Sequence, residues 1–201
     1  MTAQVQQRDA DVEGNARLTA VNGVVLLVLL FVEGITILEI RGLITLHVFV
    51  GLMLLGPVVL KCATTIYRFA RYYGGEPAYV RRGAPPQMLR LLGPLVIVST
   101  LVVFGTGAAL LAVRPDQAGL LLTAHKAGFV VWFGLMALHV LGHLGDAART
   151  AGRELRPGNR AGRRRLARTV ALIAALAIGV GVATAFTPSA TAWVQNHHGD
   201  H

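Results

Sequence analysis

Long runs of apolar residues separated by short polar connections dominate the pattern of the chain. Five of these runs, at residues 18–38, 43–67, 91–113, 120–143 and 169–186, are long enough to cross a bilayer, which takes about 20 apolar residues. None of them shows the strict alternation of a barrel strand. Because a bilayer leaves only α-helices and closed barrels as spanning structures, the pattern predicts five transmembrane helices and an all-α fold.

Arginine residues are concentrated in two of the connections between these runs, at 68–90 and 149–168. The other two loops hold only Arg41 and Arg114, and the C-terminal tail has neither Lys nor Arg. Short loops rich in Lys and Arg stay in the cytoplasm. We therefore expect a multi-pass protein of the cell (inner) membrane, with its N-terminus in the cytoplasm and its C-terminus outside.

The same pattern divides the chain into segments without a separate soluble domain. We expect a cytoplasmic N-terminal tail at 1–17, a four-helix membrane bundle at 18–145 and an Arg-rich cytoplasmic loop at 146–168. A fifth transmembrane helix at 169–186 and an extracytoplasmic tail at 187–201 complete the chain. The stretch 73–86 (YGGEPAYVRRGAPP) is typical of a turn-rich loop. The tail histidines His197, His198 and His201 are expected in an unstructured segment rather than in a metal site.

Composition excludes two classes of function. Hydrophobic residues make up 54% of the 201 residues and charged residues 14%, where a soluble domain has about a quarter charged. The net charge of +9 comes mostly from arginines that orient the helices, so no nucleic-acid partner is expected. The single thiol, Cys62, lies in an apolar run, which excludes a disulfide framework or a Cys-ligated iron–sulfur cluster within the chain.

Ionisable residues inside the spans are the candidate functional residues, because each is costly to bury in lipid. They are Glu33 in the first span, His47 and Lys61 in the second, and His125, Lys126, His139 and His143 in the fourth. His47 and Lys61 are separated by the same number of residues as His125 and His139. This spacing is close to four helical turns, so each pair shares a helix face and its members lie about 21 Å apart along the axis.

The two helices therefore offer ligand pairs at two levels. We call the pair His47 and His125 the outer level, and the pair Lys61 and His139 the inner level. Two imidazoles at one depth on facing helices are typical of the axial ligands of haem in a helix bundle. Zinc and copper sites usually need three or four converging ligands. Polar contact between helices is the other interpretation of His47 and His125.

Glycines within the spans suggest close approach of helices or of a flat cofactor. Gly51 and Gly128 lie about one turn from His47 and His125, where a small residue would let a macrocycle approach the backbone. Other glycines in the spans are typical of close helix packing. These are Gly105, Gly107, Gly179 and Gly181.

Three short segments carry a resemblance to a known family: LHVFVG at 46–51, LTAHKAGFVVWF at 122–133 and HVLGHL at 139–144. Over residues 18–145 the chain resembles the cytochrome b561-like superfamily of four-helix membrane cytochromes b, which includes the membrane anchors of hydrogenases and formate dehydrogenases. The resemblance implies haem b, and electron transfer between the quinone pool and an extracytoplasmic oxidoreductase subunit or carrier. It also implies an electron-transfer subunit without catalytic residues of its own, to which the fifth helix is an addition.

The chain departs from this family at the inner level, where Lys61 stands in place of a second histidine on that helix. Three arrangements remain open there: a haem held by His139 and a neutral Lys61, no haem but contacts from Lys61 and His143 to a quinone or a propionate, or a haem ligated by His143 and an unknown partner. Lys61 could also reach the inner headgroups.

Two other charged residues also have two interpretations. Lys126 could pair with a haem propionate or reach the outer headgroups. Glu33 could carry protons, but its position near the outer end favours contact with solvent.

Two other classes of function fit the same residues. A haem-free transporter or metal-handling protein would use the histidines as converging ligands along a polar pathway. A structural subunit of a larger membrane complex would leave the buried His and Lys residues without a role. The haem-binding electron carrier is the interpretation that we favour, because it accounts for both the pairing and the depth of the histidines.

Overall fold

Every regular element is helical in a computed structural model that describes residues 3–83, 87–155 and 162–198. The elements are α1 (Ala3–Leu38), α2 (Ile40–Tyr73), α3 (Pro77–Arg82), α4 (Gln87–Ala112), a 3₁₀ helix (Pro115–Gln117), α5 (Gly119–Leu155) and α6 (Gly162–His198). Within the described ranges, five helices are long and apolar enough to cross a membrane: α1, α2, α4, α5 and α6. The prediction of an all-α, multi-pass membrane protein is confirmed.

Several helices are longer than the apolar runs that predicted them. The 36 residues of α1 extend over about 54 Å, whereas the hydrocarbon core is about 30 Å thick, so the predicted tail at 1–17 is helical from Ala3 onward. The predicted Arg-rich loop is partly helical as well, since α5 continues to Leu155 and α6 begins at Gly162. The prediction of an unstructured C-terminal tail is wrong as far as His198, where α6 ends. His201 lies outside the described residues.

α1 and α2 form an antiparallel hairpin with the single residue Glu39 between them. Side chains of α1 join it to the backbone of α2 at two points. Asn22 Nδ2 donates to the Pro57 carbonyl at 2.8 Å, and Asn15 Nδ2 donates to the Thr64 carbonyl at 3.2 Å. Each carbonyl oxygen has two lone pairs, so the Pro57 carbonyl can accept a side-chain donor in addition to its helical hydrogen bond. Asn22, which is fully buried, supplies one.

α4 and α5 form the second antiparallel hairpin of the bundle. The buried Trp132 of α5 donates its Nε1–H to Thr100 Oγ1 of α4 at 2.9 Å. The two hairpins lie side by side, because α1 also packs against α5. The hairpins leave a space between them that is lined by residues of α1, α2, α4 and α5.

The contact between α2 and α6 is the most extensive contact between two helices in the described residues. Two buried glycines allow the close approach, Gly56 on α2 and Gly179 on α6. A Cβ at Gly56 would come within 1.8 Å of the Ala175 carbonyl oxygen, and a Cβ at Gly179 within 2.1 Å of the Met53 carbonyl oxygen. Small residues at helix interfaces are typical of membrane proteins. The fifth spanning helix is therefore an integral part of the bundle.

The predicted turn-rich loop at 73–86 contains the short helix α3, which packs against the N-terminal part of α1. Ala78 and Tyr79 of α3 form a small buried cluster with Val12 of α1. An ion pair between Arg81 and Asp9, at 2.7 Å, joins the same two elements. These contacts explain why α1 continues as a helix beyond its apolar run.

Candidate cofactor-binding site

A cavity of about 1000 Å³ lies between the two hairpins, with walls from α1, α2, α4 and α5. This volume is at the upper end of the range of about 300–1,000 Å³ for ligand pockets. The walls are mostly aliphatic and aromatic and include Leu27, Phe31, Val48, Phe104, Phe129, Trp132 and Phe133. The ionisable side chains in the lining are Glu33, His47, His125 and Lys126. A mostly apolar cavity with a few polar groups is typical of a cofactor site.

His47 contributes to the wall from α2, and two groups of α1 hold its ring. Its Nδ1 lies 3.0 Å from Glu33 Oε1 and 3.0 Å from Thr36 Oγ1. The Thr36 hydroxyl donates its one proton to the Glu33 backbone carbonyl at 2.6 Å, so it can only accept from His47. Because the Thr36 hydroxyl is an acceptor toward the ring, we infer that Nδ1 of His47 carries the hydrogen while Nε2 keeps its lone pair.

His125 contributes to the wall from α5 and has the corresponding arrangement. Its Nδ1 lies 2.9 Å from Thr106 Oγ1 of α4. The Thr106 hydroxyl donates to the Val102 carbonyl at 2.7 Å, so it too is an acceptor toward the imidazole. The same reasoning leaves Nε2 of His125 with a free lone pair. Both histidines thus have the tautomer that can bind a metal through Nε2.

Two glycines keep the space around these groups open. A Cβ at Gly107 would lie 3.1 Å from Cε1 of His125, and a Cβ at Gly51 would lie 3.1 Å from Oε1 of Glu33. Both glycines line the cavity, as expected for Gly51. Gly128 is not among the lining residues and faces α4, where its Cβ would meet the Val102 side chain at 3.3 Å.

The residues of the inner level are placed differently from those of the outer level. Lys61 Nζ donates to the Thr19 carbonyl of α1 at 2.9 Å, and its ammonium group lies against Gly23. His139 and His143 contact each other on α5, with ring centroids 4.8 Å apart. Lys61, His139 and His143 are not among the described residues that line the cavity. A pair formed by Lys61 and His139 stays a prediction.

One nitrogen at this inner level has no hydrogen-bond partner. Nδ1 of His139 is buried and unpartnered among the described residues. A buried polar group without a partner costs about 1–3 kcal/mol. His139 is therefore a candidate for contact with a ligand that the chain itself does not supply.

Several residues of the site could not be identified as such from the sequence pattern alone. Thr36 and Thr106 hold the histidines, and Gly107 makes room for one of them. The interpretation of Glu33 as a solvated residue is wrong, because its side chain is only 14% exposed and contacts His47. Glu33 and Thr36 are three residues apart and share one face of α1. This spacing is the feature of the sequence that could have indicated a polar contact of α1 with a neighbouring helix.

The donor set fits a haem better than a bare metal ion. In the described part of the chain, no group of three or more His, Cys, Asp and Glu side chains converges as a metal-ion site. The cavity has two imidazole nitrogens with free lone pairs, on different helices. A haem brings four nitrogens of its own, so two imidazoles complete its coordination.

Comparisons with known proteins give no match among family models, curated proteins or solved structures.

Proposed function

We propose that the protein is a membrane b-type cytochrome that holds haem b between His47 and His125 and transfers electrons between the quinone pool and an extracytoplasmic redox partner. One observation carries this proposal. Two histidines from different helices line one apolar cavity, and Nδ1 of each contacts a threonine hydroxyl that donates to a backbone carbonyl, from which we infer that Nε2 is the nitrogen left for iron. Metal-binding histidines almost always have such a partner on their other nitrogen, because it fixes the tautomer and the ring orientation.

The residues of the cavity perform distinct tasks in this proposal. His47 and His125 would each supply a ring nitrogen to the iron, and two histidine ligands would favour electron transfer over oxygen binding. The apolar side chains of the four helices exclude water and stabilise the porphyrin. Lys126, whose side chain belongs to the lining, supplies a positive charge for a propionate. When bound, the haem supplies a carrier for single electrons.

The proposal includes one haem. Lys61 is hydrogen-bonded to the α1 backbone, which does not favour it as an iron ligand. We assign the quinone contact to the inner level, because Nδ1 of His139 is a buried donor or acceptor without a partner in the described residues. A quinone carbonyl could accept a hydrogen bond from this nitrogen. The extracytoplasmic partner follows from the resemblance and from the predicted orientation, in which the cavity is nearer the outer surface.

The test is a reduced-minus-oxidised absorption spectrum of the full chain, purified in detergent from cells supplied with haem. We expect b-type bands and one haem per chain. Since each histidine would supply one of the two protein ligands to the iron, His47→Ala and His125→Ala should each abolish the low-spin spectrum. His143→Ala is the matched control, because it removes an imidazole from α5 outside the cavity lining, and it should retain the haem.

Two results would contradict the proposal. A colourless wild-type protein that is nevertheless folded would favour a haem-free transporter or a structural subunit. A low-spin spectrum that survives in both His47→Ala and His125→Ala would place the haem elsewhere.

A further inference from the structure

The two proposed axial ligands differ in the group that accepts from Nδ1. The groups that hold His125 are neutral: the Thr106 hydroxyl at 2.9 Å from Nδ1 and the backbone of Val103. His47 is held by the Thr36 hydroxyl and also by the carboxyl group of Glu33, at 3.0 Å. The other carboxyl oxygen of Glu33, Oε2, is buried without a hydrogen-bond partner in the described residues. In the described residues a carboxyl group thus lies against Nδ1 of His47 and a neutral hydroxyl against Nδ1 of His125, so the two ligands are chemically unequal.

The position of Glu33 is fixed from several directions. Its own backbone carbonyl accepts from the hydroxyl of Thr36, which is fully buried. On the opposite helix, Gly51 leaves the space that Oε1 occupies, since a Cβ there would lie 3.1 Å away. The short turn at Glu39 holds α1 and α2 in register. The contact between Glu33 and His47 thus belongs to the packing of the hairpin.

We propose that Glu33 is a positioning residue that makes His47 the stronger electron donor of the two axial ligands and thereby lowers the reduction potential of the haem. This inference rests on the proposed function. A carboxyl group that accepts from Nδ1–H draws the hydrogen away from the ring and raises the basicity of the ligating nitrogen. A more basic ligand stabilises ferric iron more than ferrous iron, and hydrogen bonding around the ligands is one of the means by which a protein sets the potential.

The experiment is a redox titration of the haem-loaded full chain at one fixed pH, with the low-spin ferric EPR spectrum recorded for each variant. Glu33→Gln should retain the haem and raise the midpoint potential by about 59 mV, which corresponds to a tenfold higher ratio of reduced to oxidised haem for a one-electron couple. Glu33→Asp should shift the potential in the same direction by less, because a shorter side chain keeps the carboxyl group but lengthens its contact. The EPR g values should move with the potential, since they depend on the donor strength of the axial ligands.

Glu39→Gln is the matched control for charge. Glu39 lies in the turn of the same hairpin, is exposed and is absent from the cavity lining. Its substitution removes a carboxylate at the same end of the bundle without changing the contact to His47. We expect its potential to equal that of the wild type, and a shift as large as that of Glu33→Gln would overturn the proposal in favour of a general effect of charge.

The remaining outcomes also decide the question. A Glu33→Gln variant that retains haem at the wild-type potential overturns the proposal. If Glu33→Gln loses its haem, the midpoint potential of Glu33→Asp tests the proposal in its place. Loss of haem in both variants also overturns the proposal, because Glu33 would then be required for haem binding and would not merely tune the potential. A wild-type protein without haem contradicts the proposed function itself, before any variant is measured.

Discussion

Thr106 and His125 contact each other across the α4–α5 hairpin, with 2.9 Å between the hydroxyl oxygen and Nδ1 of the ring. The hydroxyl hydrogen is already donated to the carbonyl of Val102 within α4. Thr106 therefore links a backbone carbonyl of one helix to the imidazole of the next. Since the ring then carries its hydrogen on Nδ1, the nitrogen that remains free for a ligand is Nε2.

Substitution of Thr106 by Val should weaken haem retention while leaving the fold intact. The two side chains have a similar shape, but Val cannot accept from Nδ1, so the tautomer and orientation of His125 are no longer fixed. Loss of such a partner typically costs about 10–100-fold in metal affinity. The measurement is the rate of haem transfer to an apo-globin acceptor. Thr187→Val is the control, because this hydroxyl bonds to the Ala183 carbonyl on α6. Equal transfer rates in the two variants would show that Thr106 does not support His125.

A methyl group at Gly107 should displace the His125 ring. The added Cβ would lie 3.1 Å from Cε1, which is closer than carbon atoms normally approach, so the ring or α4 must move. We expect Gly107→Ala to reduce the haem content of the purified protein. Gly105→Ala is the matched control on the same helix, since nothing in the described residues lies within 4 Å of its Cβ position. A full complement of haem in both variants would contradict the assigned geometry.

The sequence predicts the architecture of this protein well because its spans are governed by one strong physical constraint. Each apolar run must form a helix to satisfy the hydrogen bonds of its backbone in lipid, so the five apolar runs by themselves predict five helices. The position of the outer level also follows from simple geometry. His47 and His125 each lie a few residues after the start of a span that runs in the same direction, which predicts a common depth, and both line one cavity.

The partners of these histidines could not be predicted, because they depend on helix rotation and packing. A Thr in an apolar helix usually bonds to a carbonyl of its own helix, and Thr36 and Thr106 do so. That each hydroxyl also meets an imidazole depends on which helices become neighbours. Glu33 was similarly ambiguous, since a carboxylate near the end of a span can turn toward water or toward the bundle.

The inner level illustrates the same limit in a different way. Periodicity places Lys61 and His139 on corresponding faces of their helices, but the structure shows Lys61 hydrogen-bonded to the backbone of α1. The Thr19 carbonyl takes the ammonium group of Lys61, and Gly23 leaves room for it. Thr19 and Gly23 are not ionisable, so the cost of burying charge does not point to either of them.

Substitution of Lys61 by Met should therefore leave the haem stoichiometry unchanged. The Met side chain fills a similar volume but cannot donate to the Thr19 carbonyl, so we expect lower thermal stability of the purified protein with one haem per chain as before. Haem and protein are quantified on the same sample, and His139→Ala is measured in parallel. If the wild type holds two haems per chain and both variants hold one, Lys61 and His139 would be the ligands of a second haem iron.

The contact between α2 and α6 gives a final prediction, about the fifth helix and not about the cofactor. A Cβ at Gly56 would lie 1.8 Å from the carbonyl oxygen of Ala175, and a Cβ at Gly179 would lie 2.1 Å from that of Met53. Both obstacles are backbone atoms of a helix, so no side chain can rotate away and the helices themselves must separate. Gly56→Ala and Gly179→Ala should each destabilise the protein, by about 1–3 kcal/mol for an overpacked contact.

Thermal unfolding in detergent measures this effect, with Gly181→Ala as the control on α6. The described structure has nothing within 4 Å of a Cβ at Gly181, and Ala has the higher helix propensity, so this variant should be at least as stable as the wild type. Since no described residue of α6 lines the cavity, Gly179→Ala should retain its low-spin spectrum at low temperature and lose it only when the bundle unfolds. If Gly179→Ala and Gly181→Ala unfold at the same temperature, the two helices do not approach each other through these glycines.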